Sequence, residues 1–160
     1  MHKFLLKSVV LPGQGGDRVV DVLIAGNRFA RIGEVPPEES LGAEVVDCSH
    51  FAIFPAFYNG HTHAAMTLLR GYADDMPLQK WLQEYIWPFE AKLTGDDIDV
   101  ACRLALLEMI KSGTVFFADM YWHRERTIKV VEEMGIRAAV GVTFAESLMS
   151  PEAIEGNFKF

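Results

Sequence analysis

Two runs, Thr114–Ala118 and Ile136–Phe144, are apolar at most positions, and each follows a stretch of helical character. This alternation restricts the fold more than any other feature of the chain. Near-continuous apolar strands suit sheets covered on both faces, and alternating strands and helices argue for a parallel sheet with helices outside. The helical stretches carry their own end signals. Thr94-Gly95-Asp96-Asp97 reads as a capping-box start with Thr94 as N-cap. Val100, Leu104, Leu107 and Lys111 mark its successive turns, and Gly113 falls at the C′ position, giving a helix of about 17 residues. His123–Met134 reads as a second helix, closed by Gly135. The first strand is expected in Phe54-Pro55-Ala56-Phe57-Tyr58-Asn59-Gly60-His61-Thr62-His63, read as an apolar, buried run. The order is therefore strand, helix, strand, helix, strand.

The first 54 residues follow a different pattern. Phe4–Val10, Val19–Ala25, Arg28–Ile32 and Glu44–Asp47 are short strand candidates. Pro12-Gly13-Gln14-Gly15-Gly16-Asp17 supplies one turn, and Gly26-Asn27 a two-residue connection of the primed type. Two units are thus expected, a small β unit over 1–54 and an α/β domain over 55–160.

The apolar run before the helices ends in two histidines one residue apart. In an extended strand, residues i and i+2 point to one face about 6 to 7 Å apart. His61 and His63 can therefore close on one ion, although such pairs also occur as incidental surface or core histidines. Beyond them, Leu78, Trp81, Leu82, Tyr85 and Ile86 form one helical stripe beginning near Pro77. Pro88 disfavours helix at Trp87, so a break or kink is expected there, which can turn Trp87 and Glu90 away from the stripe and toward the histidines. By spacing alone, Glu90 reads as a solvated acid in a new first turn, and Trp87 as packing. Asp119, at a strand end, reads as a structural residue or an acceptor behind a ligand, the structural reading being preferred.

Charge and composition narrow the partners. The formal net charge of −7 leaves no basic footprint for nucleic acid or an anionic membrane. No apolar run is long enough to span a bilayer, and Met1–Lys7 has too short an apolar core for a signal peptide. The cytoplasm is the expected compartment. Cys48 and Cys102 lack metal-type spacing and read as buried, reduced thiols.

Ordered motifs then extend across most of the chain. His61-Thr62-His63-Ala64-Ala65-Met66-Thr67-Leu68-Leu69-Arg70-Gly71-Tyr72-Ala73-Asp74-Asp75, Trp81-Leu82, Trp87-Pro88-Phe89-Glu90 and Phe117-Ala118-Asp119-Met120-Tyr121 resemble the amidohydrolase superfamily. Within it they are most similar to the methylthioadenosine/S-adenosylhomocysteine deaminases and related chlorohydrolases. Pro55-Ala56 departs from the usual Pro-Gly of that family. The resemblance implies an N-terminal β-sandwich portion followed by the first three β/α units of a metal-dependent (β/α)8 barrel. Such a barrel takes about 250 residues, so a truncated chain, the N-terminal part of an enzyme, is expected.

What else the resemblance implies concerns the site. His61 and His63 become ligands of one divalent cation, zinc in the first instance, with iron or another metal as alternatives. Glu90 becomes a substrate-binding carboxylate, and Trp87 a platform for the heterocycle. The implied reaction is hydrolytic deamination of an adenosine-type nucleoside. The alternatives are dechlorination, deamination of guanine or cytosine, and a non-catalytic metal-binding or association module. His2, His50 and His123 offer no convincing third ligand. The remaining ligands and the acid–base residue are expected beyond Phe160, so no catalytic residue is assigned within the chain. Homo-oligomer formation stays open.

Overall fold

The computed structural model describes residues 2–143 and 150–157, in two compact units, Met1–Pro55 and Ala56–Phe160. The first unit is a four-stranded sheet in the order β3-β2-β1-β4. Its strands are β1 (Lys3–Leu11), β2 (Arg18–Ala25), β3 (Arg28–Gly33) and β4 (Glu44–Asp47). The β1/β2 and β2/β3 pairs are antiparallel, and β1/β4 is parallel. Gly26 opens the β2–β3 loop at φ +61°, a left-handed position that glycine adopts without penalty. The β1/β2 register shifts between Leu6 and Val9, where Ser8 takes φ +58°. Asp21 Oδ1 accepts the Ser8 N–H at 2.9 Å, satisfying the donor that the bulge frees. Val9, Val22 and Cys48 form the small core of this unit.

The second unit is built on a three-stranded parallel sheet, β5 (Phe57–Thr62), β6 (Thr114–Asp119) and β7 (Arg137–Val140), in that order. Helix α3 (Gly95–Lys111) links β5 to β6, and α4 (Arg124–Met134) links β6 to β7. Parallel neighbours need such crossovers, because a tight hairpin cannot return the chain to the same sheet end. Thr94 caps α3: its Oγ1 accepts the Asp97 N–H at 3.3 Å, and Asp97 Oδ2 accepts the Thr94 N–H at 2.8 Å. Gly135 closes α4 at φ +72°. A further helix, α5, covers Pro151–Asn157. The last position of the expected third strand, Phe144, lies outside the described residues.

Two expectations change, and the packed face of α3, which its turn markers left unassigned, is fixed. The strand leading to the histidines is not buried: Phe54, Phe57 and Tyr58 are exposed, because β5 is an edge that pairs with β6 alone among the described residues. On α3, the face that packs is Ile98, Ala101, Cys102, Ala105 and Leu106. Val100, Leu104 and Leu107 lie on an exposed row, since this helix is apolar on more than one face. Finally, of the break or kink expected at Trp87, the chain shows no break, and its irregularity is a π-helical stretch just before that residue. A helical path runs through α1 (Leu78–Lys80), a π-helical stretch at Trp81–Ile86 and α2 (Trp87–Glu90), with Trp87 at φ −60°, ψ −41°. The wider π turn carries the preceding carbonyls out of the α ladder, which lets the Pro88 ring enter a continuing helix.

Phe117, fully buried on β6, packs in one cluster with Ile98, Cys102 and Leu106 of α3 and Val130 of α4. Cys102 Sγ lies 3.3 Å from Thr127 Oγ1, and burial pushes its thiol up to about 11, so it serves as core rather than as a nucleophile. Phe117→Ala is expected to cost about 3–5 kcal/mol in chemical denaturation, against a smaller loss for Thr94→Ala. The Thr94 hydrogen bonds hold the Asp97 carboxyl below its ordinary 3.8. The part of the cap that depends on the ionised acid is therefore present in full above that pH. It fades as pH falls through the lowered value, so the gap between wild type and Thr94→Ala should narrow in acid.

Candidate active site

β5 delivers the histidine pair at its C-terminal end, where the working residues of parallel α/β barrels gather. The rings of His61 and His63 converge with centroids 5.2 Å apart and planes at 79°. His63 Nδ1 sits 2.6 Å from the Met120 carbonyl oxygen. A carbonyl only accepts, so this contact requires a proton on Nδ1 and leaves the Nε2 lone pair of the neutral ring free. Asn59 Oδ1 accepts the His61 backbone N–H at 3.2 Å.

The end of β6 fixes the turn that follows. Register pairs Thr62 with Asp119, and Asp119 Oδ1 accepts the Ala64 N–H at 2.8 Å. Asp119 is only 4% exposed, and its Oδ2 has no partner among the described residues. Burial pushes this carboxyl above the usual range, against the pull of the Ala64 N–H and the nearby His63. Asp119 thus takes the structural reading, a strand-end residue that braces the backbone next to His63, while the His63 ring is held by the Met120 carbonyl instead.

Glu90 is reached from the other side. It ends α2, and the Tyr121 hydroxyl donates to its Oε1 at 2.7 Å while the Trp122 indole N–H donates to its Oε2 at 3.2 Å. Burial and the adjacent Glu90 both push the Tyr121 hydroxyl above its ordinary range, which keeps it a donor. His63, Trp81, Trp87, Glu90, Tyr121 and Trp122 line one cleft of about 230 Å³. The structure therefore brings His63, Trp87 and Glu90 onto one cavity, with His61 against His63. It does so along a continuous helical path, without a break at Trp87. His2 and His50 belong to the first unit; His123 faces Glu125 at 3.7 Å. Among the described residues, no group of three or more His, Cys, Asp or Glu side chains is placed to hold a metal.

Trp81, Met120, Tyr121 and Trp122 entered none of the residue-level expectations as site groups. Trp81 was visible as part of a packing stripe and of a family-like motif, with no role attached to it. Tyr121 and Trp122 follow directly on a strand end, which is a signal for site residues in this architecture, but Met120 acts through its backbone and its side chain gives no hint.

Residues 52–157 match the amidohydrolase family. The chain belongs to that family. Among curated relatives of this amidohydrolase chain, a 5'-deoxyadenosine deaminase of Methanococcoides burtonii is 50% identical over 125 residues, covering 78% of the chain and 28% of the relative. A 5-methylthioadenosine/S-adenosylhomocysteine deaminase of Pelotomaculum thermopropionicum is 48% identical over 138 residues, or 83% of the chain and 32% of the relative. The chain thus spans under a third of the length of these relatives. In fold it is similar to a zinc-complexed atrazine chlorohydrolase from Arthrobacter aurescens TC1. That likeness has a TM-score of 0.75 and 19% identity, over 94% of the chain and 39% of the other. No helix among the described residues is long and apolar enough to cross a membrane.

In nitrogen-15 NMR spectra, neutral His63 is expected as the Nδ1–H tautomer. An Nε2–H tautomer would contradict the contact with Met120.

Proposed function

We propose that this chain is the N-terminal part of a metal-dependent aminohydrolase that removes the 6-amino group of an adenosine-type nucleoside, such as S-adenosylhomocysteine or methylthioadenosine. In this reading β1–β4 are a portion of a β-sandwich, and β5–β7 with α3 and α4 are the first three β/α units of a (β/α)8 barrel. The substrate is a small heterocycle handled in the cytoplasm, with neither nucleic acid nor membrane as partner. Support comes from the names carried by relatives at 45–50% identity. The observation that carries it is the placement of Glu90, an acceptor-only carboxylate when ionised, on one cleft with His63.

The donor set suits a cation. His61 and His63 converge, and the Met120 carbonyl orients the His63 ring so that Nε2 is available. These two would be ligands of one divalent metal. Zinc is the first choice, since nitrogen donors suit it and a fold neighbour is complexed with it. Two imidazoles are fewer than the three protein ligands a catalytic zinc usually takes. We place the rest, with the acid–base group, in the portion of the relatives that this chain does not span. When bound, the metal supplies acidification of a water molecule toward neutral pH.

The chain's own residues do the rest of the work assigned to them. Glu90 accepts hydrogen bonds from the ribose hydroxyls and sets the distance of the base from the histidines. Trp87 and Trp81, on the cleft wall, offer apolar faces that cover the heterocycle and exclude water from it.

The full-length, zinc-loaded protein is expected to release ammonia from 5'-deoxyadenosine or S-adenosylhomocysteine, with loss of the adenine absorbance. An unchanged spectrum together with chloride release from a chlorinated aminotriazine would replace this reading with the dechlorination alternative. In the same protein His61→Ala should lower zinc content and reduce activity at least a hundredfold, about the effect expected of losing a catalytic metal ligand. Full occupancy with retained activity would remove His61 from the ligand set.

A further inference from the structure

Glu90 stands where its own helix does not favour it. It is the last residue of α2, at the end where unsatisfied carbonyls repel a negative charge. The last torsion of a glutamate is also broad, so the helix alone does not fix the plane of the carboxylate. Two donors from a distant segment do both jobs. The Tyr121 hydroxyl takes Oε1 and the Trp122 indole N–H takes Oε2, and Tyr121 is itself 7% exposed and held in the core cluster. Each carboxylate oxygen offers about two acceptor positions. With one used on each, one on each remains for a ligand in the cleft, the pattern that suits two adjacent hydroxyls.

The same backbone segment holds the other half of the site, because the Met120 carbonyl that takes His63 lies one residue before Tyr121. We propose that Tyr121 and Trp122 are positioning residues. By donating one hydrogen bond to each oxygen of Glu90, they fix the carboxylate to receive the vicinal diol of a nucleoside and so set the preference for ribosyl over deoxygenated substrates. The inference rests on the nucleoside reading of the cleft given above.

The test compares adenosine with 2',3'-dideoxyadenosine in the full-length, zinc-loaded protein. Wild type should favour adenosine. Tyr121→Phe, which deletes only the hydroxyl, should lower kcat/KM for adenosine about tenfold, mainly through KM, and change dideoxyadenosine by less than about twofold. Trp122→Phe should repeat the pattern, and it carries the comparison if Tyr121→Phe fails to fold. A parallel fall for both nucleosides would assign the two residues a merely structural part and overturn the proposal. So would an unchanged preference in both variants of a discriminating wild type, which sinks the clamp alone. A wild type that turns over both nucleosides equally overturns the clamp and leaves the nucleoside reading in place, whereas one that turns over neither overturns the nucleoside reading and the clamp with it.

Discussion

The hydrogen bond between the His63 imidazole and the Met120 carbonyl is the contact on which the candidate site depends. It spans 57 residues of sequence, yet it joins adjacent strand ends, because β5 and β6 are parallel neighbours with Thr62 opposite Asp119. Parallel pairing brings both C-terminal ends to one edge, and each strand then spills its next residues over that edge. From β5 come the histidines; from β6 comes Asp119-Met120-Tyr121-Trp122. Each of those four residues makes a contact that bears on the site, two toward the His63 turn and two toward Glu90.

Such a frame is only as rigid as the strand beneath it. Phe117 anchors β6 between α3 and α4, and the capping box and Gly113 fix where α3 starts and stops. The site is supported unevenly. On the β6 side it rests on a packed core, whereas β5 is an exposed edge among the described residues. The geometry of His61 thus depends on less packing than that of His63, which has the Met120 carbonyl and the Asp119-braced turn behind it.

How much of this was legible in the sequence follows from which signals are local. The alternation of strands and helices, the Thr94 cap and the left-handed Gly135 are written in neighbouring residues and could be read directly. So could the convergence of His61 and His63, which needs only strand geometry. The helix through Trp87 was legible only in part, because Pro88 signals an irregularity in the α ladder but not whether the chain breaks or, as here, continues through a π-helical stretch at Trp81–Ile86. The burial of β5 was misread because apolar composition says nothing about how many neighbours a strand finds. The Tyr121 and Trp122 contacts to Glu90 join residues 31 and 32 positions apart, and Met120 contributes a backbone atom. No residue-type pattern encodes those contacts; they appear only once the strands are paired.

The most direct test is a crystal structure of the full-length, zinc-loaded protein with a non-hydrolysable nucleoside, with the metal located by anomalous scattering at the zinc edge. One peak is expected, bonded to His63 Nε2 and a ring nitrogen of His61, with His63 Nδ1 still on the Met120 carbonyl and the ribose hydroxyls on Glu90. A metal bound away from this pair, or through His63 Nδ1, would contradict it.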